Sequence, residues 1–337
     1  MAATPEEFNP SKIIFSDEDY KKAAKNWKLP LLQMPLLAIQ DILQYMSGMG
    51  NVRYKVALPT IEGHAQFGPY NAFRKDEGDV NVKFRELETY CGSVIKDFEP
   101  NAYIQLLIGQ MASALGDGQK NAPSAQAVIG CVMKSLGYNL RQHLFDAVRN
   151  ASGTGTADLF DGWMTIINKE ITAGEIATGK GNYQVITETV TKQNAVDIAK
   201  EIERGADPYL RRSEKFLYCS PEFADLYNDC YKLTSGNVPY NKQYEQMYVE
   251  GSGNKTTIIP LDILSGSDKF ILTPKANMLY GFDTMSDLTR IQVDRFSSFI
   301  LTLSAVMFFG TQIYTLDKRY FKVIKFGSAV QTSEEEE

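Results

Sequence analysis

From Ile258 to Gln312, short apolar runs alternate with polar breaks: Phe270 to Leu272, Met278 to Tyr280, Ile291 to Val293 and Phe299 to Leu303. Runs of this length, bounded by Gly, Pro, Asn, Asp and Ser, predict buried strands joined by tight turns. Earlier in the chain, Val52, Tyr54, Val56 and Leu58 alternate with Arg53, Lys55 and Ala57, and Val80, Val82 and Phe84 alternate with Asn81, Lys83 and Arg85. Both are period-two strand patterns. The Gly-rich polar stretch between them (GHAQFGPYNAFRKDEGD) predicts an extended hairpin that leaves the body and invites pairing with another subunit.

Helical spacing is clearest in Ile129, Met133, Leu136, Leu140, Leu144 and Val148, behind Pro123. It predicts a long helix over 123–150, weakened at Gly130 and Gly137 and therefore dependent on packing. A shorter apolar helix is expected over 101–116. Near the start, Asp17 to Lys28 is helix-compatible and Pro30 and Pro35 are expected to break the backbone. A second helix would then begin at Pro35, with Leu36, Ile39, Leu43 and Met46 on one face and Gly48 beyond its end. ASGTGT at 151–156 marks a boundary. After it come a helix over 158–171, a helix with Val196, Ala199 and Ile202 stopped by Gly205, a strand Phe216 to Cys219, and a helix opened by Ser220-Pro221-Glu222. The last strand is expected from Tyr320 to Phe326. Helices and strands intersperse without a βαβ rhythm, which predicts an α+β fold.

Composition narrows the chemistry. The chain has 337 residues, 44% hydrophobic, with 18 Tyr and 18 Phe, ample for a large core. Net charge is −6, and removing the terminal run Glu334 to Glu337 leaves −2, a poor basis for tight nucleic-acid binding. Cys91, Cys131, Cys219 and Cys230 show no metal or redox spacing and are expected reduced and mostly buried. Met1 leads into an acidic segment without an apolar core, so no secretory signal is expected. The run Phe299 to Phe309 is shorter than the ~20 residues of a membrane span, and no membrane is expected as partner.

Catalytic patterns are weak. His64 and His143 stand alone. Gly174 to Gly181 (GEIATGKG) nearly matches a phosphate-cradling loop, but Gly181 replaces the magnesium-binding hydroxyl and the following NYQVITETV reads as strand, so a surface turn is expected. The carboxylate pairs Asp158 with Asp161 and Asp283 with Asp287 are expected to be solvated charges. No catalytic, cofactor-binding or metal residue, no cofactor and no enzymatic activity is assigned.

The order of these segments resembles the C-terminal half of tailed-phage major capsid proteins, the Hong Kong 97-like shell fold. The resemblance rests on DKFILT, NMLYGFD and the apolar run closing on FFGTQ, on Leu159-Phe160-Asp161-Gly162-Trp163, on the stretch NAVDIAKEIERGADPYLRRSEKFLYCSPEFADLYNDCYK, and on GNVPYN followed by MYVEGSGNKTTIIPLDILSG. It covers about 155 to 315. The first half matches in layout only, and about 50 residues precede the first strand where relatives often carry a scaffolding region of about a hundred. The resemblance implies an N-terminal arm (1–50), an extended hairpin loop (51–90), a peripheral domain (91–154 and 306–328) with a spine helix over 123–150, an axial domain (155–305) and an acidic tail (329–337). It implies pentamers and hexamers of an icosahedral shell around double-stranded DNA, in a virion assembled in the bacterial host's cytoplasm. The hairpin would lie over a neighbour and the arm would strap another. Scaffolding, portal and decoration proteins are the implied partners. An encapsulin-like compartment and a nucleotide-handling enzyme using Gly174 to Gly181 are the alternatives.

Overall fold

The computed structural model describes residues 17–63, 80–98, 125–235, 247–283, 290–295, 300–327 and 330. The expected helix over 101–116, Pro123, His64, Asp287 and the acidic run 334–337 lie outside them.

Two five-stranded sheets organise the chain. The first has the order β1 (Ser47–Gly50), β9 (Met278–Asp283), β11 (Leu301–Ile313), β10 (Arg290–Arg295), with β4 (Tyr90–Phe98) on the other side of β11. The second runs β5 (Tyr183–Ile186), β12 (Lys322–Phe326), β8 (Lys269–Thr273), β6 (Lys215–Cys219), β7 (Thr256–Pro260). A separate antiparallel hairpin pairs β2 (Lys55–Gly63) with β3 (Val80–Glu88).

The second sheet is apolar on both faces, so its strands read as continuous runs rather than alternations. Tyr218, Ile271 and Val323 face a core shared with Phe145, Phe160 and Trp163, the last opening helix α5 (Trp163–Thr172). Leu217, Phe270, Leu272 and Ile324 face α6 (Ala195–Arg204) and α8 (Pro221–Ser235), whose Val196, Ile202, Phe223 and Tyr227 complete a second core. Between them, α7 (Pro208–Arg212) is capped by Asp207, which accepts from the Tyr209 N–H at 2.9 Å. Ser220 Oγ accepts from the Phe223 N–H at 3.4 Å, as its place before Pro221 predicts.

One ion pair lies inside this layer. Lys215 Nζ donates to Glu203 Oε1 at 3.0 Å, and Glu203 Oε2 accepts from Thr256 Oγ1 at 2.8 Å. Burial pulls the Lys215 ammonium below its usual range, against the pull of Glu203. Lys322, 2% exposed, reaches the Ile202 carbonyl at 3.4 Å. Burial brings its pKa down to about 8.

Several expectations change. The long helix is α4 (Ala125–Gln142), about 27 Å at 1.5 Å per residue, with residues 123–124 outside the described set. It stops before 150 because the next segment pairs elsewhere. Phe145 O accepts from Met164 N–H, Ala147 O from Gly162 N–H, and Val148 N–H donates to Ala157 O. Val148, expected on the apolar face, is exposed. Pro30 and Pro35 do not break the chain. Both lie within α2 (Lys28–Leu37), Pro30 in its first turn, where no N–H is needed. The expected second helix shrinks to α3 (Gln40–Leu43), and Gly48 is strand, paired with Tyr280. Ile39, Leu43 and Met46 are nevertheless buried.

The arm, expected to strap a neighbour, folds on its own body over the described residues 17–50. Ala24 of α1 (Asp17–Asn26) and Leu31 and Leu32 of α2 pack with Ile129 and Met133 of α4 and with Ile291, Leu301 and Leu303 of the first sheet. Gly137 explains the closeness of α2 and α4. A Cβ there would lie 2.6 Å from the Pro35 carbonyl oxygen and 2.8 Å from Ala38 Cβ. The glycines that weaken the helix in isolation let its partner helix seat.

The sheets also cut across the expected domain bounds. β11 runs unbroken through residue 305, and β9 and β10 join β4 in the first sheet. β12, placed with the peripheral part, is central to the second sheet. Strand pairing joins residues more than 100 apart in the chain, as in β4 with β11 and β5 with β12.

Candidate assembly surface

The hairpin exposes several apolar side chains together, Ile61, Val82 and Phe84. Directly opposed residues of an antiparallel pair share a face. On one face Lys55 opposes Glu88, Ala57 opposes Glu86, Pro59 opposes Phe84 and Ile61 opposes Val82. On the other, Val56 opposes Leu87 and Leu58 opposes Arg85. At the root the second face is buried: Leu58, Leu87, Val52 and Leu279 form a small core with Val56 and Tyr314. Further out the apolar positions move to the first face. Phe84 is 67% and Ile61 71% exposed, and Val82 is exposed beside them. The apolar phase slips by one residue in each strand, between Leu58 and Ile61 and between Phe84 and Leu87. That slip moves an apolar set to the opposite face, and it lies just beyond the two alternating patterns, which end at Leu58 and Phe84.

The root is held to the body by directed bonds. Arg85 Nε donates to the Ile313 carbonyl at 2.9 Å and Nη2 to Gln312 Oε1 at 3.1 Å, and the guanidinium pairs with Glu170 at 2.7 Å. Gln312 Nε2 donates to the Glu86 carbonyl at 2.7 Å, and Tyr314 OH to the Pro59 carbonyl at 2.9 Å. Gly310 sits beneath: a Cβ there would come within 2.0 Å of the Glu88 carbonyl oxygen. Lys55 bridges Glu86 at 3.1 Å and also contacts Glu88, which accepts from Tyr90 OH. These partners raise the Lys55 pKa and lower that of Glu88. The hairpin is thus fixed in direction at its root and apolar on one open face beyond it.

No family model and no curated protein matches the chain. Solved structures do. A chain of the satellite phage P4 procapsid matches with a TM-score of 0.58 at 9% identity, over 88% of this chain and 90% of that one. The cyanophage A-1(L) capsid matches at 0.54 and 10%, over 89% and 94%. The SrpI encapsulin of Synechococcus elongatus PCC 7942 matches at 0.50 and 10%, over 87% and 89%. The fold is Hong Kong 97-like.

Within this Hong Kong 97-like chain, the described residues with candidate chemistry have local partners. His143 Nδ1 lies 3.3 Å from Asp146 Oδ1, just past α4. Asp158 Oδ2 accepts from the Gly155 N–H at 3.0 Å, closing the 153–158 turn. Asp161 accepts from the Arg149 N–H at 3.0 Å and pairs with Lys169 at 2.7 Å. Asp283 is a correction: expected solvated, it is fully buried and paired with Arg53 at 3.2 Å. In 174–181, Lys180 binds Glu175 of its own loop at 2.8 Å, Gly174 and Gly181 have φ of 75°, and strand β5 follows. A nucleotide loop needs that lysine free and a helix after it. Of the cysteines, Cys219 and Cys230 are buried but Cys91 and Cys131 are exposed. Burial raises the Cys219 pKa, leaving a protonated thiol. Among the described residues no His, Cys, Asp and Glu group could hold a metal, and no helix is long and apolar enough to cross a membrane.

Proposed function

We propose that the chain is a shell protein that assembles with its own copies into pentamers and hexamers of an icosahedral capsid enclosing double-stranded DNA. The observation that carries this reading is the hairpin: root latched by Arg85, Gln312 and Tyr314, outer face apolar and open. In a monomer, Phe84 and Ile61 gain nothing from that exposure. Against another copy they form the apolar centre of an interface, and obligate interfaces commonly bury 2,000 Å² or more. The first sheet with α4 is the peripheral layer in this reading. The second sheet with α6 and α8 is the axial layer, meeting its copies at the capsomer centre. Scaffolding, portal and decoration proteins are the further partners proposed, and a virion is the proposed location.

Negative-stain electron microscopy of the chain lacking residues 61–79 tests the hairpin's role. The expected result is a folded chain without shells, where the full chain forms shells or rings. Normal shells from the deletion would remove the hairpin assignment, and a full chain that stays monomeric would remove the shell reading. The encapsulin likeness supports a second reading, a compartment loaded with protein cargo. Particle contents separate the two, nucleic acid in one case and a packaged enzyme in the other.

A further inference from the structure

The stretch from α6 to β6 carries an uneven charge. Its acids have partners of their own: Glu203 is buried with Lys215 and Thr256, Glu201 accepts from Gln184 Nε2 at 3.0 Å, Asp207 caps α7, and Asp197 lies 3.8 Å from Lys200. Its arginines are not. Arg204, Arg211 and Arg212 are exposed, and no carboxylate pairs with them among the described residues. Lys255 adds a fourth cation, anchored by donating to the Arg212 carbonyl at 2.9 Å. Exposed Glu214 is the one acid of the stretch beside them. The proximity of Arg211 and Lys255 is felt at Lys215, where both add to the depression of its pKa.

This patch sits at one end of the second sheet. β6 and β12 both pair antiparallel with β8, so they run the same way, and α7 precedes β6 at the end where Lys322 opens β12. The chain leaves this layer at the other end. Phe326 N–H bonds the Asp268 carbonyl, Gly327 N–H bonds the Ile186 carbonyl, and Val330 is buried in the core under α6 and α8. Seven residues, QTSEEEE, follow it. Five strand residues separate the two ends by about 17 Å, and seven residues span up to about 24 Å.

We propose that the acidic segment Glu334 to Glu337 of one copy docks on the Arg204, Arg211 and Arg212 patch of the next copy. The inference rests on the shell reading and names one of its contacts. Cations at one end of the layer, and the exit of the chain towards its acidic segment at the other, suit a head-to-tail contact, the kind that repeats around a closed ring. Two features favour a protein segment over the phosphates of DNA: the patch holds only four cations, and the body's charge is −2 without the tail.

The test uses three full-length variants and a truncation after Val330, with assembly followed by sedimentation velocity and electron microscopy at several salt concentrations. R211E/R212E and the truncation are each expected to raise the concentration needed for assembly by about tenfold, two or three exposed ion pairs being lost. The wild-type salt dependence should weaken in both. Replacing Glu334 to Glu337 with lysine should also raise it, and combining that change with R211E/R212E should restore assembly. Truncated chain that assembles at wild-type concentration and salt dependence overturns the proposal. So does a drop in monomer melting temperature with assembly unchanged, which assigns the contact to a single copy. So does an R211E/R212E variant that assembles normally but encloses less nucleic acid. If the wild-type chain itself forms no assemblies, the shell reading fails, and with it the premise of the contact.

Discussion

The second sheet and the β2–β3 hairpin treat apolar residues in opposite ways. In the sheet, Leu217, Tyr218, Phe270, Ile271, Leu272, Val323 and Ile324 are buried on both faces by helices of the same chain. In the hairpin, Phe84, Ile61 and Val82 share one open face, and only the root is packed. The sheet's hydrophobicity is consumed by folding the monomer. The hairpin's is left over. Hydrophobic content alone does not separate these cases; what separates them is whether another element of the same chain lies opposite.

Substitutions should divide along that line. The largest effect is expected at Glu203. Glu203→Ala leaves Lys215 buried without its carboxylate, and the loss of about 3–5 kcal/mol should be visible in urea unfolding. Glu203→Gln should recover part of it, its Oε1 accepting from Lys215 and its amide N–H donating to Thr256 Oγ1. Phe270→Ala, in the middle of the aromatic cluster with Phe223 and Phe326, should cost about 3–5 kcal/mol. Gly137→Ala should cost about 1–3 kcal/mol despite its better helix propensity, because the added methyl meets the Pro35 carbonyl.

Alkaline pH tests the buried lysine. The folded pKa of Lys322, about 8, lies below its ordinary 10.5. Between these values the unfolded chain holds the extra proton, so stability rises with pH. The penalty is fully present below pH 8 and fades above it. A rise of about 1–3 kcal/mol is expected from pH 8 towards 10. Beyond that, tyrosines such as Tyr227, pushed up to about 12 by burial, begin to work the other way. Lys322→Met should remove its share of the rise in chemical-denaturation curves taken across this range, leaving the share of Lys215, which burial also lowers.

The smallest effect on the monomer is expected in the hairpin. Phe84→Ser with Ile61→Ser should change unfolding free energy by no more than about 0.5 kcal/mol while abolishing shells in electron micrographs. A monomer destabilised as much as Phe270→Ala would show that this face is covered within the chain, and the contrast between the two regions would collapse.

Local chemistry made much of the fold legible. Ser220-Pro221-Glu222 announced α8, the run at Phe270 announced β8, and the period-two pattern announced the hairpin strands. Less legible was whatever depends on distant partners. β4, paired along its length with β11, has Cys91, Gly92 and Ser93 in its first half and gives no clean alternation. α4 stops at Gln142 because residues 157–164 claim the backbone that would continue it. Asp283 gave no sign of burial, since its partner Arg53 lies 230 residues away. In the assembly surface, the apolar set was visible in Val82 and Phe84, but its outward direction depended on Leu58 and Leu87 being claimed by Val52 and Leu279.

The root latch has a consequence for how the chain comes into being. Gln312, Ile313 and Tyr314, which hold Arg85, Glu86 and Pro59, are made more than 200 residues after the hairpin they secure. At typical rates of synthesis that delay is roughly 10 to 40 s. During it the apolar face of the hairpin exists without its anchor, and β4 waits for β11. A growing chain of this kind is most exposed to wrong partners before the last strand emerges, and crowded polysomes, with many such hairpins side by side, are where premature pairing would begin.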